Sequence, residues 1–112
     1  MSLEVSEDQV QDCVAFWIVL GWREVPVLPG IHDHSTWMER NGVQVHLQRV
    51  DPPTIPHGGH VAIVDGNIDE TVARIQDAGY EFLERERYWG SRRIFTRCPA
   101  GHRVELMAAP PG

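Results

Sequence analysis

Lysine is missing from this chain: all ten basic side chains are arginine, set against sixteen carboxylates, for a formal charge of -6. Without lysine there is no Schiff-base chemistry and no lysine nucleophile or base. Without a basic excess there is no electrostatic footprint for nucleic acid, so that partner is excluded. Cysteine is scarce. Cys13 and Cys98 stand alone, outside any C-x-x-C pair, which removes zinc-finger and thioredoxin-type readings. Two isolated thiols in an acidic domain are expected to be free, as in a reducing cytoplasm. Long apolar runs are absent too. The longest, Val14 to Leu20, is about a third of a membrane span. The opening Met-Ser-Leu-Glu-Val has neither a basic nor an apolar leader region. These features predict a cytoplasmic protein with no membrane partner. No G-x-S-x-G, Walker-A or G-x-G-x-x-G pattern occurs, so serine hydrolase, P-loop and Rossmann readings drop out.

What is present is a pattern that runs twice. The chain has 112 residues, the size of one domain. Leu3 and Val5 alternate with polar neighbours as a short strand would. Ser6 and Gln9 resemble a capping box. Val10, Val14, Trp17 and Ile18 then recur at helical spacing, closed by Gly21. Glu24 to Leu28 reads as a strand ended by Pro29-Gly30. Thr36 to Arg40 and Val43 to Val50 flank Asn41-Gly42, a two-residue hairpin signal. Asp51 to Gly59, with three prolines and two glycines, is a linker. Then His60 to Val64 reads as a strand. Asn67 and Glu70 frame a helix with the stripe Val72, Ile75 and Ala78, closed by Gly79. Tyr80 to Leu83, Arg92 to Arg97 and Arg103 to Met107 read as three further strands.

A shift of 58 residues lays Val14-Ala15 on Val72-Ala73, Gly21-Trp22 on Gly79-Tyr80 and Trp37 on Phe95. A shift of 59 lays Gly42 on Gly101 and Val45-His46-Leu47 on Val104-Glu105-Leu106. Two copies are too few for a solenoid. The expectation is an α+β fold: a single domain over 1–112, built from two pseudo-symmetric βαβββ modules, 1–50 and 60–108, joined by linker 51–59. Their strands are expected to form a curled mixed sheet around a cavity.

Strand alternation assigns the faces. Val43, Val45 and Leu47 should pack under the helices, which sends Gln44, His46 and Gln48 the other way. By the same logic His60 and Glu105 project from the non-helical face. Two imidazoles and a carboxylate suit a divalent metal (Fe, Mn, Ni, Co or Zn) and leave open positions for substrate. His46, His60 and Glu105 are therefore the expected metal ligands. Glu105 is also the expected catalytic residue, as a ligand or as a general base. Trp37, Trp89, Tyr88 and Phe95 are candidates for a cavity lining, with Phe95 and Trp17 favoured as core. Arg92 or Arg93 can hold an anionic group of a substrate. The expected substrate contacts are Trp37, Trp89 and Arg92. The H-x-H of His32 and His34 reads as a solvated loop, and His57 and His102 receive no role.

These residues resemble the vicinal oxygen chelate superfamily, which includes glyoxalase I, extradiol dioxygenases, fosfomycin resistance enzymes and bleomycin resistance proteins. The resemblance rests on Val14-Ala15-Phe16-Trp17 leading to Leu20-Gly21-Trp22, on Gly59-His60-Val61-Ala62, and on the stretch from Ile94-Phe95 to Glu105-Leu106. That stretch is similar to the family ending F-x-x-D-P-x-G-x-x-x-E-L. The resemblance implies paired βαβββ modules, a homodimer and a small-molecule substrate. It places family ligand positions near Ser2, His46, His60 and Glu105. Serine is a poor ligand, and Cys98 stands where the family usually has aspartate. Two functions follow from it. One is a divalent-metal-dependent lyase, isomerase, transferase or dioxygenase acting on an oxygen-chelating substrate. The other is a metal-free small-molecule-binding protein of the bleomycin resistance type.

Overall fold

The computed structural model describes residues 1–29 and 34–112. It divides into two compact units, Met1–Ile55 and Pro56–Gly112. The boundary falls inside the Pro/Gly-rich stretch, where neither a helix nor a central strand can continue.

The first unit runs β1 (Ser2–Val5), a 3-10 turn (Glu7–Gln9), α1 (Val10–Val19), β2 (Arg23–Val25), β3 (Ser35–Arg40) and β4 (Val43–Arg49). Its sheet has the order β1-β4-β3-β2, with β1 parallel to β4 and the other pairs antiparallel. The second unit runs β5 (His60–Val64), α2 (Ile68–Asp77), β6 (Phe82–Glu84), β7 (Arg93–Arg97) and β8 (Arg103–Met107). Its sheet order is β5-β8-β7-β6, again with one parallel pair, β5 with β8. The two units thus repeat one α+β topology, as the repeat in the sequence requires. No helix among the described residues is long and apolar enough to cross a membrane.

Both helices end the same way. The amide of Gly21 bonds to the Ile18 carbonyl and that of Trp22 to the Trp17 carbonyl. In α2 the amide of Gly79 bonds to Gln76 and that of Tyr80 to Ile75. This is the Schellman pattern, and it needs a left-handed residue at its pivot. Gly21 and Gly79 supply it, with φ of 95° and 85°. The Asn41-Gly42 hairpin likewise has both central residues at positive φ, 51° and 79°.

Some local expectations shift. In α1 the buried arc runs from Phe16 through Cys13 and Trp17 to Val14, which leaves Ile18 past its edge and exposed. Ser6 makes no cap bond to the backbone; its hydroxyl reaches the side chains of Asp8 and Gln9, and a 3-10 turn intervenes before α1. The buried stripe of α2 is Ile68, Thr71, Val72 and Ile75, while Ala78 is its exposed C-cap. Asn67 does not cap that helix through its side chain. Asp65, fully buried, ties the start of the helix instead: it accepts from the amide of the N-cap residue Asn67 at 2.9 Å and from the Thr71 hydroxyl at 2.5 Å. Val43 sits at the hairpin end and is exposed, whereas Val45 and Leu47 are fully buried. The strands predicted over Glu24 to Leu28 and Tyr80 to Leu83 are three residues each, Arg23–Val25 and Phe82–Glu84. Cys13 and Cys98 are buried and form no disulfide.

Candidate functional site

The non-helical face of the second unit's sheet is read from its register. Residues paired across strands share a face, so Ala62, Glu105, Phe95 and Leu83 form one row across β5, β8, β7 and β6. His60, Arg103 and Arg97 form the next row, and Val64, Met107 and Arg93 the one on the other side. The helix-facing side carries Val61, Ile63, Val104 and Leu106, all buried.

Glu105 is the centre of this face. It sits on a strand flanked on both sides and is only 5% exposed. A buried carboxylate must be paired and hydrogen-bonded to remain charged. Both of its oxygens are engaged. Oε1 lies 2.8 Å from His60 Nε2, and Oε2 accepts from Arg93 Nε at 2.8 Å. Arg93 is itself buried and donates a further bond, at 2.9 Å, to the Glu86 carbonyl. Its guanidinium lies 5.4 Å from the ring centroids of both Trp89 and Phe95 and 5.5 Å from that of Tyr88. Those distances lie within reach of cation–π attraction. Trp89 is fixed by its indole N–H, which donates to the Ala109 carbonyl at 3.1 Å. Phe95 is further flanked by the guanidiniums of Arg85 at 4.8 Å and Arg103 at 5.0 Å, and by the His60 ring at 5.4 Å. Beside this row, at the β6 edge, lies a cleft of about 530 Å³ bordered by Leu83, Phe95, Arg97 and Arg103.

The structure thus brings His60 and Glu105 together in one unit. His46 belongs to the first unit. There it pairs across the ladder with Trp37, and the two rings stack with centroids 4.2 Å apart and planes 5° from parallel. Its Nε2 lies 2.9 Å from Gln44 Oε1. Burial, and then the positive charge of the chain's amino terminus, hold its pKa below the usual imidazole value. Trp37 is buried and donates to the Ser35 hydroxyl at 2.9 Å. Arg92 is bound by two carboxylates, Glu84 and Asp69. Those two partners raise its pKa. Arg93, one residue on, is the arginine that meets Glu105. His34 is exposed in a bend, and His32 lies outside the described residues.

As metal donors, an imidazole nitrogen and a carboxylate oxygen 2.8 Å apart are chemically suitable. They are two where a catalytic site takes three, and a guanidinium already occupies the second carboxylate oxygen. Among the described residues, no three His, Cys, Asp or Glu side chains group to hold an ion. Within this unit the face supplies two such donors, His60 and Glu105. Arg93, Arg85, Arg97 and Arg103 were not singled out together by sequence reasoning. The available signal was the Arg93-x-Phe95-x-Arg97 alternation, with Arg103 two residues before Glu105.

Comparison with known proteins agrees with the fold. A "putative glyoxalase family protein" from Bacillus anthracis superposes with a TM-score of 0.85 at 18% identity, over 95% of this chain and 88% of that one. TnmS3, an antibiotic binding protein from Streptomyces sp. CB03234, gives 0.74 at 20%, over 96% and 90%. A variant of the fosfomycin resistance protein FosX from Listeria monocytogenes gives 0.73 at 22%, over 98% and 90%. That protein was solved with Mn(II) and 1S,2S-dihydroxypropylphosphonic acid. No curated protein matches the chain significantly by sequence. The sequence model of one family matches residues 4–106, nearly the whole repeat, and by that match the chain belongs to the Glyoxalase/Bleomycin resistance protein/Dioxygenase superfamily.

Proposed function

We propose that this chain is a small-molecule-binding protein that works without a metal, and that the non-helical face of its second unit is the binding surface. The observation that carries the reading is the state of Glu105: buried, with one oxygen held by Arg93 and the other by His60. For a divalent cation to bind there, it would have to displace a buried guanidinium or sit beside its charge, at a cost in Coulomb energy that the medium screens weakly. In this reading Glu105 is a positioning residue. It fixes Arg93, which in turn holds Tyr88, Trp89 and Phe95 as the wall of the site. TnmS3, with the same fold, is an antibiotic binding protein, which supports this reading.

A second reading is favoured by one specific contact. His60 Nε2 and Glu105 Oε1 converge at 2.8 Å, as two neighbouring ligands of one ion would, and FosX was solved with Mn(II). In that reading the ion would polarise adjacent substrate oxygens and Glu105 would be a ligand. The homodimer and the cytoplasmic location remain part of the proposal; the dimer is checked by light scattering. The binding reading is tested by titrating a mixed library of neutral and charged fragments into 15N-labelled protein in chelator. Saturable shifts are expected at the amides of His60, Phe95 and Glu105. Shifts that arise only after a metal is supplied would overturn the reading.

A further inference from the structure

One row of the second sheet is built against electrostatic convention. His60, Arg103 and Arg97 are register partners on β5, β8 and β7, so two arginines are cross-strand neighbours. Like charges in that relation destabilise a sheet. The first unit shows the alternative. Its corresponding row, 58 residues back for β2 and β3 and 59 for β4, is Gln44, Glu39 and Arg23. There the charges are opposite, and Arg23 and Glu39 form an ion pair at 2.9 Å. In the second unit Glu39 becomes Arg97, Gln44 becomes Arg103 and Arg23 becomes Glu81. Among the described residues Glu81 makes no ion pair with either arginine, although the chain carries sixteen carboxylates.

The arginines of this row lie at the 530 Å³ cleft, with Glu81 as its one bordering carboxylate. Among the described residues the Arg103 guanidinium has the Phe95 ring as its partner, at 5.0 Å. Arg97 spends one N–H on the Gly101 carbonyl, at 2.9 Å. Arg93 does not contribute, because Glu105 neutralises it. Two guanidiniums against one carboxylate leave the lining of the cleft with an excess of positive charge, in a protein of net charge -6. Leu83, 65% exposed, supplies an apolar wall beside them.

We infer that this cleft binds a small organic dianion, its phosphate- or phosphonate-type head group held by Arg103 and Arg97 and its apolar body laid against Leu83. The inference rests on the reading of this face as a small-molecule site and names the ligand class. Arginine suits the task because its planar fork meets a tetrahedral oxyanion with paired, charge-assisted bonds. The unpaired row is thereby explained: its repulsion is relieved when the anion arrives.

The probe is phenylphosphonate, with benzyl alcohol as its neutral counterpart, added to the 15N-labelled full chain in low salt with chelator. Phenylphosphonate is expected to bind saturably, shifting amides of residues 81–83, 95–97 and 103, while benzyl alcohol binds at least about tenfold more weakly. Arg103→Gln and Arg97→Gln should each raise Kd about tenfold or more, the loss of one charge-assisted contact. Arg23→Gln should leave it unchanged, and Arg97→Lys should retain part of it. Each variant's own spectrum reports whether it is folded. Equal binding of the two probes, insensitive to either arginine variant, would overturn the dianion inference while leaving the binding reading intact. No phenylphosphonate binding tighter than about 1 mM would overturn it as well. Binding that requires added Mn(II) would overturn the inference and the metal-free reading together.

Discussion

Replacing Arg93 by methionine removes a guanidinium that is 8% exposed and leaves Glu105, 5% exposed, without its partner at Oε2. Breaking a buried pair from one side costs about 3–5 kcal/mol, because the remaining charge keeps its desolvation cost. His60 still meets Oε1, which points to the lower end, about 3 kcal/mol. For 112 residues, an unfolding entropy of about 2.1 cal/mol/K per residue gives about 0.24 kcal/mol/K. Each kcal/mol then moves Tm by about 4 °C, so Arg93→Met should melt about 12 °C below the parent. The loss should be nearly independent of salt, since the pair is buried. Replacing both partners, Arg93→Met with Glu105→Leu, should recover most of it, because an apolar pair leaves no orphaned charge. Thermal and urea unfolding of the four proteins measure all of this. A single-variant loss below about 1 kcal/mol would refute the claim that the pair is a buried structural element, and a double variant no better than the worse single would refute its mechanism.

Two further outcomes follow from the local chemistry. Asp65→Ala should cost about 2–3 kcal/mol, since a buried carboxylate there satisfies the Thr71 hydroxyl and the Asn67 amide; Asn67→Ala, which removes no side-chain cap, should cost under about 0.5 kcal/mol in the same urea titrations. His46 has a pKa below its unfolded value of 6.5, so below about that pH the unfolded chain takes up a proton that the fold resists. Stability should therefore be complete above the unfolded pKa and fall as pH drops below it; His46→Gln should flatten that limb below about pH 6.5, and an unchanged slope there would count against the assignment.

The repeat was legible because its punctuation is chemical. Gly21, Gly79 and Asn41-Gly42 stand where only left-handed residues serve, and they set the helix ends and a hairpin in register. Alternation likewise placed His60 and Glu105 on one face. What it missed lay beyond local pattern. Ile18 and Ala78 fit an apolar period but fall outside the arcs that packing selects. The side chain that ties the start of α2 is Asp65, upstream of the residue whose type suggested a cap. Alternation puts Glu105 and His60 on the non-helical face without giving their burial or partners. The long side chain of Arg93 reaches across from the neighbouring strand, and Glu105 is buried and paired. Periodicity names the face a residue is on; it does not say which partner on that face will claim it.

Metal stoichiometry is the most direct test of the central claim that Glu105 is occupied by Arg93 and that the site works without an ion. Untagged protein is equilibrated with Mn, Fe, Co, Ni or Zn, freed of excess, and analysed for bound metal. The account predicts less than about 0.1 equivalents, with no difference in His46→Ala, His60→Ala or Glu105→Ala. About one equivalent in the parent, lost in the His60 and Glu105 variants, would contradict it.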